Sequence, residues 1–409
     1  MDLDALLGQG HGLVQHEGSQ LDTRTNAEII ASLHRHVPVT SERNVWAFWN
    51  GGFAAMSPWM QRNVVNWVRR QGQQDWTVRL LDTVLESPNH VYSVLSPHDF
   101  PAAAQDRMTS RGMGVTISDF ARIALLYHHG GVYMDVSIML IRDLDDICWS
   151  SLQDDATSYR VAGMAQEMGR SAYQMHNSFL AARKHDPFLY RWQQVGLRMW
   201  EGRVDNAGSH DDPLLRHLGL LKFSSPAIPK SADWASFNDY LNQYLAFERV
   251  RLNREPGPDG FDGPSYFEKH FFLLDASTEM FYGQDFDGGE AVVRWLSLPR
   301  ETTVGQGKPE SDHEQSRARE FVHNILAKSS VCKFSQGTAR LGLTFLVATH
   351  WSKPESSDAD CRPGTWGELL RHGSVNFRQM RIPGTCLTPL NIAVEADAIT
   401  NLGMLEPAP

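Results

Sequence analysis

Apolar positions recur along this chain with two alternating periods, and their succession predicts its architecture. Val45 to Trp49 is a short aromatic-rich run that ends on Asn50-Gly51-Gly52, a strand running into a turn. Pro58 then opens a helix whose apolar residues include Met60, Val64, Val65, Trp67 and Val68. Trp76 to Leu81 reads as a second strand. Further on, Ile117, Phe120, Ile123, Ala124 and Tyr127 recur at helical spacing behind Ser118, a candidate N-cap. Gly130-Gly131 stops that helix, and Val132-Tyr133-Met134 suits a buried strand that delivers Asp135 at its far end.

The remaining segments extend the same alternation. A short helix is expected around Asn26 to His36, ending before Val37-Pro38. Arg142 to Asp155 reads as an acidic loop, Tyr159 to Met164 and Asn177 to Ala182 as strands, and Pro187 to Met199 as an amphipathic helix. Asn206 to Pro213 is turn-rich, and helical stretches are expected around Leu214 to Leu221 and Phe237 to Phe247. Glu255 to Gly260 and Thr303 to Arg317 carry the Gly, Pro and charge of flexible segments; Ala318 to Lys328 is helical, and an apolar run from Gly337 to Val347 leads to His350-Trp351. Strands alternating with helices predict an α/β fold with a mainly parallel central sheet flanked by helices, its pocket at the carboxyl ends of the strands. The expected organisation is an N-terminal extension over 1–40, a core with helical insertions over 41–300, a flexible loop over 301–317, and a C-terminal extension over 318–409 that completes the same domain.

Composition narrows the class. Of 409 residues, 42% are hydrophobic, 10% aromatic and 21% charged, which suits a packed enzyme-sized core and excludes a disordered chain. Lys plus Arg number 38 against 48 Asp plus Glu, a net charge of −10 with no concentrated basic stretch, so a nucleic-acid partner is not expected. Cys148, Cys332, Cys361 and Cys386 are scattered without Cys-x-x-Cys spacing and read as buried free thiols. The first residues lack a positive n-region, and no stretch reaches the roughly 18 apolar residues of a membrane span. The expectation is a soluble, cytoplasmic protein.

Three residues carry the first chemistry. Asp119 and Arg122 stand three apart and share one helix face, while Asp135 closes a strand, where a rigidly held carboxylate can set a divalent cation against a pyrophosphate. Ser118-Asp119 through Arg122, Leu125-Leu126-Tyr127, Gly130-Gly131-Val132-Tyr133 and Asp135 resemble the sugar-binding region of glycosyltransferase family thirty-two and the capsular-polysaccharide-synthesis-like proteins. Val45 to Trp49 looks like that family's first strand, and Asn177 with His185-Asp186-Pro187 like a later segment.

The resemblance implies a GT-A (Rossmann-like) fold and a retaining transfer of a hexose from a UDP- or GDP-linked sugar to a hydroxyl acceptor. It implies that Asp119 accepts from donor-sugar hydroxyls, that Arg122 donates to the sugar or diphosphate, and that Ser118, Tyr133, Trp46, Trp49 and Asn50 belong to the donor site. Asn177 would lie near the reacting sugar. Where the family usually has Asp-x-Asp, this chain has Asp135-Val136-Ser137, so a Mn²⁺ or Mg²⁺ ion would be held by Asp135, with Ser137 and a late His350 as further ligands. The alternative is a degenerate transferase fold that binds without transfer, or one with a repurposed reaction.

Overall fold

The computed structural model describes all residues except 1–6, 8–9, 73, 109–110, 169–170, 223–227, 284–288, 301–308, 336–340, 343–345, 383, 389–393 and 409. Its strands, in chain order, are β1 (Leu13–Gln15), β2 (Asn44–Phe48), β3 (Thr77–Leu81), β4 (Gly131–Met134), β5 (Ile138–Leu140), β6 (Val161–Met168), β7 (Ser171–Ala182), β8 (Phe271–Asp275), β9 (Val331–Lys333) and β10 (Phe377–Gln379). Six of them form the central sheet in the order β3-β2-β4-β7-β6-β8. β2 is parallel to both β3 and β4, and β6 to β8, while β7 runs antiparallel between β4 and β6. This is the α/β, mainly parallel sheet that the alternation of periods predicts.

The sheet is buried on both faces because each strand alternates between two cores. Val45, Ala47, Val132, Met134, Phe179 and Ala181 point into one. Trp46, Phe48, Tyr133, Leu180 and Ala182 point into the other, which the helices Gly114–His129 and Pro187–Met199 cover. Helix Pro58–Gln71 packs in the first core through Trp59, Met60, Val64, Val65 and Trp67.

One glycine fixes where the site strand lies. Gly131 has φ +107°, and a Cβ there would stand 2.4 Å from the Asn44 carbonyl oxygen, so the approach of β4 to β2 requires glycine. Gly130, at φ +67°, ends the preceding helix.

Several boundaries differ from expectation. Helix Gly114–His129 begins a full turn before Ser118, which is therefore an interior helical residue; its hydroxyl meets Tyr133 Oη at 2.8 Å instead of capping. Asp145–Trp149 and Ser150–Gln153 are helical, where the acidic composition predicts a loop, because Ile147, Cys148, Trp149 and Leu152 turn inward and Arg43 pairs with Asp145 at 2.9 Å. Pro309–Lys328 is one helix, so the part of the expected 301–317 loop that lies within the described residues is helical; Glu314 accepts from Arg294 and the Trp295 indole and anchors that end. Around Leu214 to Leu221 only a 3-10 turn, Arg216–Leu218, forms, and the Phe237 to Phe247 stretch is two helices, Trp234–Tyr240 and Asn242–Arg251. The apolar run from Gly337 to Val347 lies largely outside the described residues.

Two small sheets lace the chain's ends onto the core. β1 pairs antiparallel with β10, and β5, just past Asp135, pairs antiparallel with β9. The four cysteines are free; Cys148 and Cys332 are buried as expected, whereas Cys361 is half-buried and Cys386 exposed, and no helix of the described residues is long and apolar enough to cross a membrane.

Candidate functional site

The carboxyl ends of the parallel strands define one edge of the sheet. The register sets Trp46 opposite Tyr133 and Tyr133 opposite Leu180, so the chain that continues from β2 (Trp49, Asn50), the residue after β4 (Asp135) and Asn177 of the antiparallel β7 come out at that edge. The Asp135 backbone donates to the Ser178 carbonyl at 2.9 Å, and its carbonyl accepts from Ile138 N at 2.9 Å. A carboxylate held by strand on one side and turn on the other has little freedom.

Arg122 is the hub beneath it. Its Nη1 donates to Asp119 Oδ1 at 2.6 Å and to Gln243 Oε1 at 2.7 Å; its Nη2 reaches Asp135 Oδ1 at 3.1 Å and Ser118 Oγ at 3.5 Å. The guanidinium also lies over the Tyr133 ring, 4.6 Å from its centroid. Asn177 donates to Gln243 Oε1 at 2.6 Å and to Asp119 Oδ1 at 3.3 Å, and accepts from Tyr244 Oη at 2.8 Å. Ser118, Asp119, Arg122, Tyr133, Asp135 and Asn177, far apart in sequence, thus stand in one hydrogen-bonded network. Arg122 is 4% exposed and Asp135 26%, so the carboxylate faces outward and the guanidinium supports it from below.

Lys333, the last residue of β9, completes the network from the other side. Its Nζ donates to Asp135 Oδ2 at 2.6 Å and to Ser137 Oγ at 2.8 Å. The β5–β9 register puts Ile138 opposite Lys333, and Phe334 N donates to the Ser137 carbonyl at 3.2 Å, which delivers the ammonium to this place. Gln243, Tyr244 and Lys333 escaped the sequence reading. Their only local signals are two polar residues in the first turn of the helix Asn242–Arg251 and a lysine closing a short Val-Cys strand.

Charges respond to this packing. Burial would raise the Asp135 carboxyl, but Lys333 and Arg122 outweigh it and hold the group below its ordinary value. Burial dominates at Asp119, whose carboxyl is pushed up to about 6 despite the Arg122 pull. Burial would lower Arg122; Tyr133, Asp135 and Asp119 prevail and keep it charged. Burial raises Tyr133 to about 12 and, with the Lys333 charge, lowers His176 to about 3, so the imidazole beside Tyr244 is neutral.

Other expected site residues sit elsewhere. Trp46 is a core side chain and no platform for a base: it is fully buried and its indole N–H donates to the Gly130 carbonyl at 2.8 Å. Trp49 and Asn50 lie at the sheet edge, half-buried, with the Asn50 side chain against Gly114, where a Cβ would approach it to 3.2 Å. His350 is not joined to Asp135 or Ser137. Its Nε2 shares a hydrogen bond with Ser356 Oγ at 3.1 Å, and Lys353 and Glu355 are the charges that act on it. Trp351, its neighbour, packs against Phe334 and Trp59, at 4.9 and 5.8 Å between ring centroids.

Transferases with an Asp-x-Asp region usually bind a divalent metal. The donor set here does not fit one. Among the described residues no group of three His, Cys, Asp or Glu side chains could hold an ion, and Asp135 offers oxygens already engaged by Arg122 and Lys333. A divalent ion within about 4 Å of the ammonium would meet roughly 8 kcal/mol of repulsion at an effective dielectric near 20.

Residues 60–154 match the family described as glycosyltransferase sugar-binding region containing DXD motif. The chain is similar over most of its length to three fungal proteins. The O-glycosyltransferase braB of Annulohypoxylon truncatum is 36% identical over 396 residues, 95% of this chain and 91% of the relative. The glycosyltransferase afumC of Aspergillus fumigatus is 35% identical over 96% of this chain and 98% of its own. The O-glycosyltransferase PaGT of Phomopsis amygdali is 34% identical over 96% and 95%. Similarity of this degree, spanning both chains nearly end to end, shows that this protein belongs to the family of these fungal glycosyltransferases.

Proposed function

We propose that this glycosyltransferase moves a hexose from a UDP- or GDP-linked sugar to a hydroxyl of a small acceptor, with retention of anomeric configuration. The observation that carries the reading is the outward-facing Asp135 carboxylate at the carboxyl edge of the sheet, braced by Arg122 and Lys333 where a diphosphate would lie. Two of the fungal relatives are named O-glycosyltransferases, which supports a hydroxyl acceptor here.

The chemistry asks for charge stabilisation more than for a strong side-chain nucleophile. The bond from the sugar's anomeric carbon to the diphosphate breaks, and its electron pair leaves on the diphosphate oxygen. The acceptor oxygen bonds to the same carbon, and its proton passes to the departing diphosphate. Asp119 Oδ2 has no hydrogen-bond partner among the described residues and is the atom to accept from a sugar hydroxyl, while Oδ1 is fixed by Arg122 and Asn177. Asn177, anchored by Tyr244 and Gln243, would stand beside the reacting centre.

Release of UDP or GDP from the corresponding glucose donors, with and without a panel of hydroxylated acceptors, tests this. Asp135→Asn should lower release by roughly 100-fold or more while the melting temperature shifts little. Nucleotide binding without any release would favour the binding-protein reading, and wild-type release by a folded Asp135→Asn protein would remove Asp135 from the reaction.

A further inference from the structure

We propose that the Lys333 ammonium takes the place of the divalent cation in this site, so that diphosphate departure is stabilised by a side chain and needs no metal. This rests on the donor reading above. Lys333 Nζ spans the first and third positions of Asp135-Val136-Ser137, at 2.6 Å from the carboxylate and 2.8 Å from the hydroxyl. Those are the two positions whose carboxylates an Asp-x-Asp region would turn toward an ion. An ammonium has three N–H donors, and two are committed to Asp135 and Ser137, which leaves one for a diphosphate oxygen.

The change at position 137 and the presence of the lysine account for each other. A second carboxylate would cancel the ammonium charge, whereas the Ser137 hydroxyl fixes it and leaves it charged toward the ligand. Within the network, Asp119 and Asp135 are matched by Arg122 and Lys333. Arg122 spends its Nη donors on protein groups and is 4% exposed, so Lys333, at 13%, is the cation nearer the surface. Neutral His176 adds no competing charge on that side.

In the transfer step the lysine keeps its protons throughout. As the bond between the anomeric carbon and the diphosphate oxygen breaks, the electron pair settles on that oxygen, and the free N–H of Lys333 donates to the charge that develops. The acceptor proton still goes to the diphosphate.

The test uses the full chain and two readouts. Thermal shifts with UDP and with GDP are measured in EDTA and in Mn²⁺, alongside donor turnover under both conditions. The expected result is the same shift and the same turnover in both. Lys333→Met should lose the shift and about 100-fold of turnover, and Lys333→Arg should retain part of each. Ser137→Ala, which removes one anchor of the ammonium without touching its charge, should weaken both readouts even if Lys333→Met proves unfolded by circular dichroism. In Lys333→Met combined with Ser137→Asp, turnover should return only with Mn²⁺. A wild-type shift and turnover that vanish in EDTA and return with Mn²⁺ would overturn the role of Lys333 while leaving the donor reading intact. No shift with either nucleotide under either condition would overturn the donor reading and this inference with it.

Discussion

Arg122 shows how a single residue type decides what a site can do. One planar guanidinium meets Asp119, Gln243, Asp135 and Ser118 while stacking on Tyr133, a set of directions no ammonium can reproduce. Arg122→Lys should therefore lose most activity and also cost about 3–5 kcal/mol of stability, since it breaks a buried pair; urea unfolding of the two proteins measures it, and an unchanged midpoint would reduce the contact to a weak surface pair. Asp119 gives a different signature. Its carboxyl titrates near 6 in the folded protein because burial disfavours the charge, above its unfolded value of 3.8. The folded state then binds more protons than the unfolded state between those values, so this group's contribution is fully present below the unfolded value and is lost as pH rises through about 6. Asp119→Asn removes that dependence. The melting temperature of the wild type relative to Asp119→Asn should fall between about pH 4 and 6 and stay level above.

At the scale of elements, legibility followed periodicity. β2, β3 and β4 and the helices Pro58–Gln71 and Pro187–Met199 lie close to where apolar spacing and Pro or Gly signals place them, because local patterning alone decides whether such segments can bury a face. The helix over Asp145–Gln153 and the start of Pro309–Lys328 were hidden by polar composition, since there the stabilising contacts come from Arg43, Arg294, Trp295 and Trp366 on distant segments. The Gly-Gly turn was legible as a stop signal, but not as a packing constraint. Gly131→Ala should bring both penalties at once: a side chain at φ +107° and a Cβ pressed against the Asn44 carbonyl. A loss of about 3 kcal/mol or more is expected from denaturant unfolding, and because β4 carries Asp135, activity should drop even at temperatures where the variant remains folded.

At the scale of the whole molecule, the site and the stability of the chain depend on contacts that no local pattern announces. Gln243 reaches Arg122 across 121 positions and Lys333 reaches Asp135 across 198, so one of the two cations of the site comes from the same C-terminal segment that supplies β9 and β10. That segment is held in place by Asp360, which is 1% exposed and receives Arg62 from helix Pro58–Gln71 and Arg371 from helix Trp366–Asn376; Arg371 in turn donates to Asn63 at 2.5 Å. Its partners make Asp360 a joint between the first helix of the core and the last. Burial would raise its carboxyl, but Arg371 and Arg62 hold it below the ordinary value, so its contribution is present above that value and is lost as pH falls through the folded one. Asp360→Asn leaves two guanidinium groups, one of them buried, without their counter-charge, and should cost about 3–5 kcal/mol at neutral pH, with a smaller difference from wild type in acid. Urea unfolding at pH 7 and near pH 3 checks both parts. Turnover per folded molecule should stay close to wild type at low temperature, because Asp360 touches none of the Asp135 network; a variant that kept its stability but lost turnover would place Asp360 at the reaction instead of at the joint.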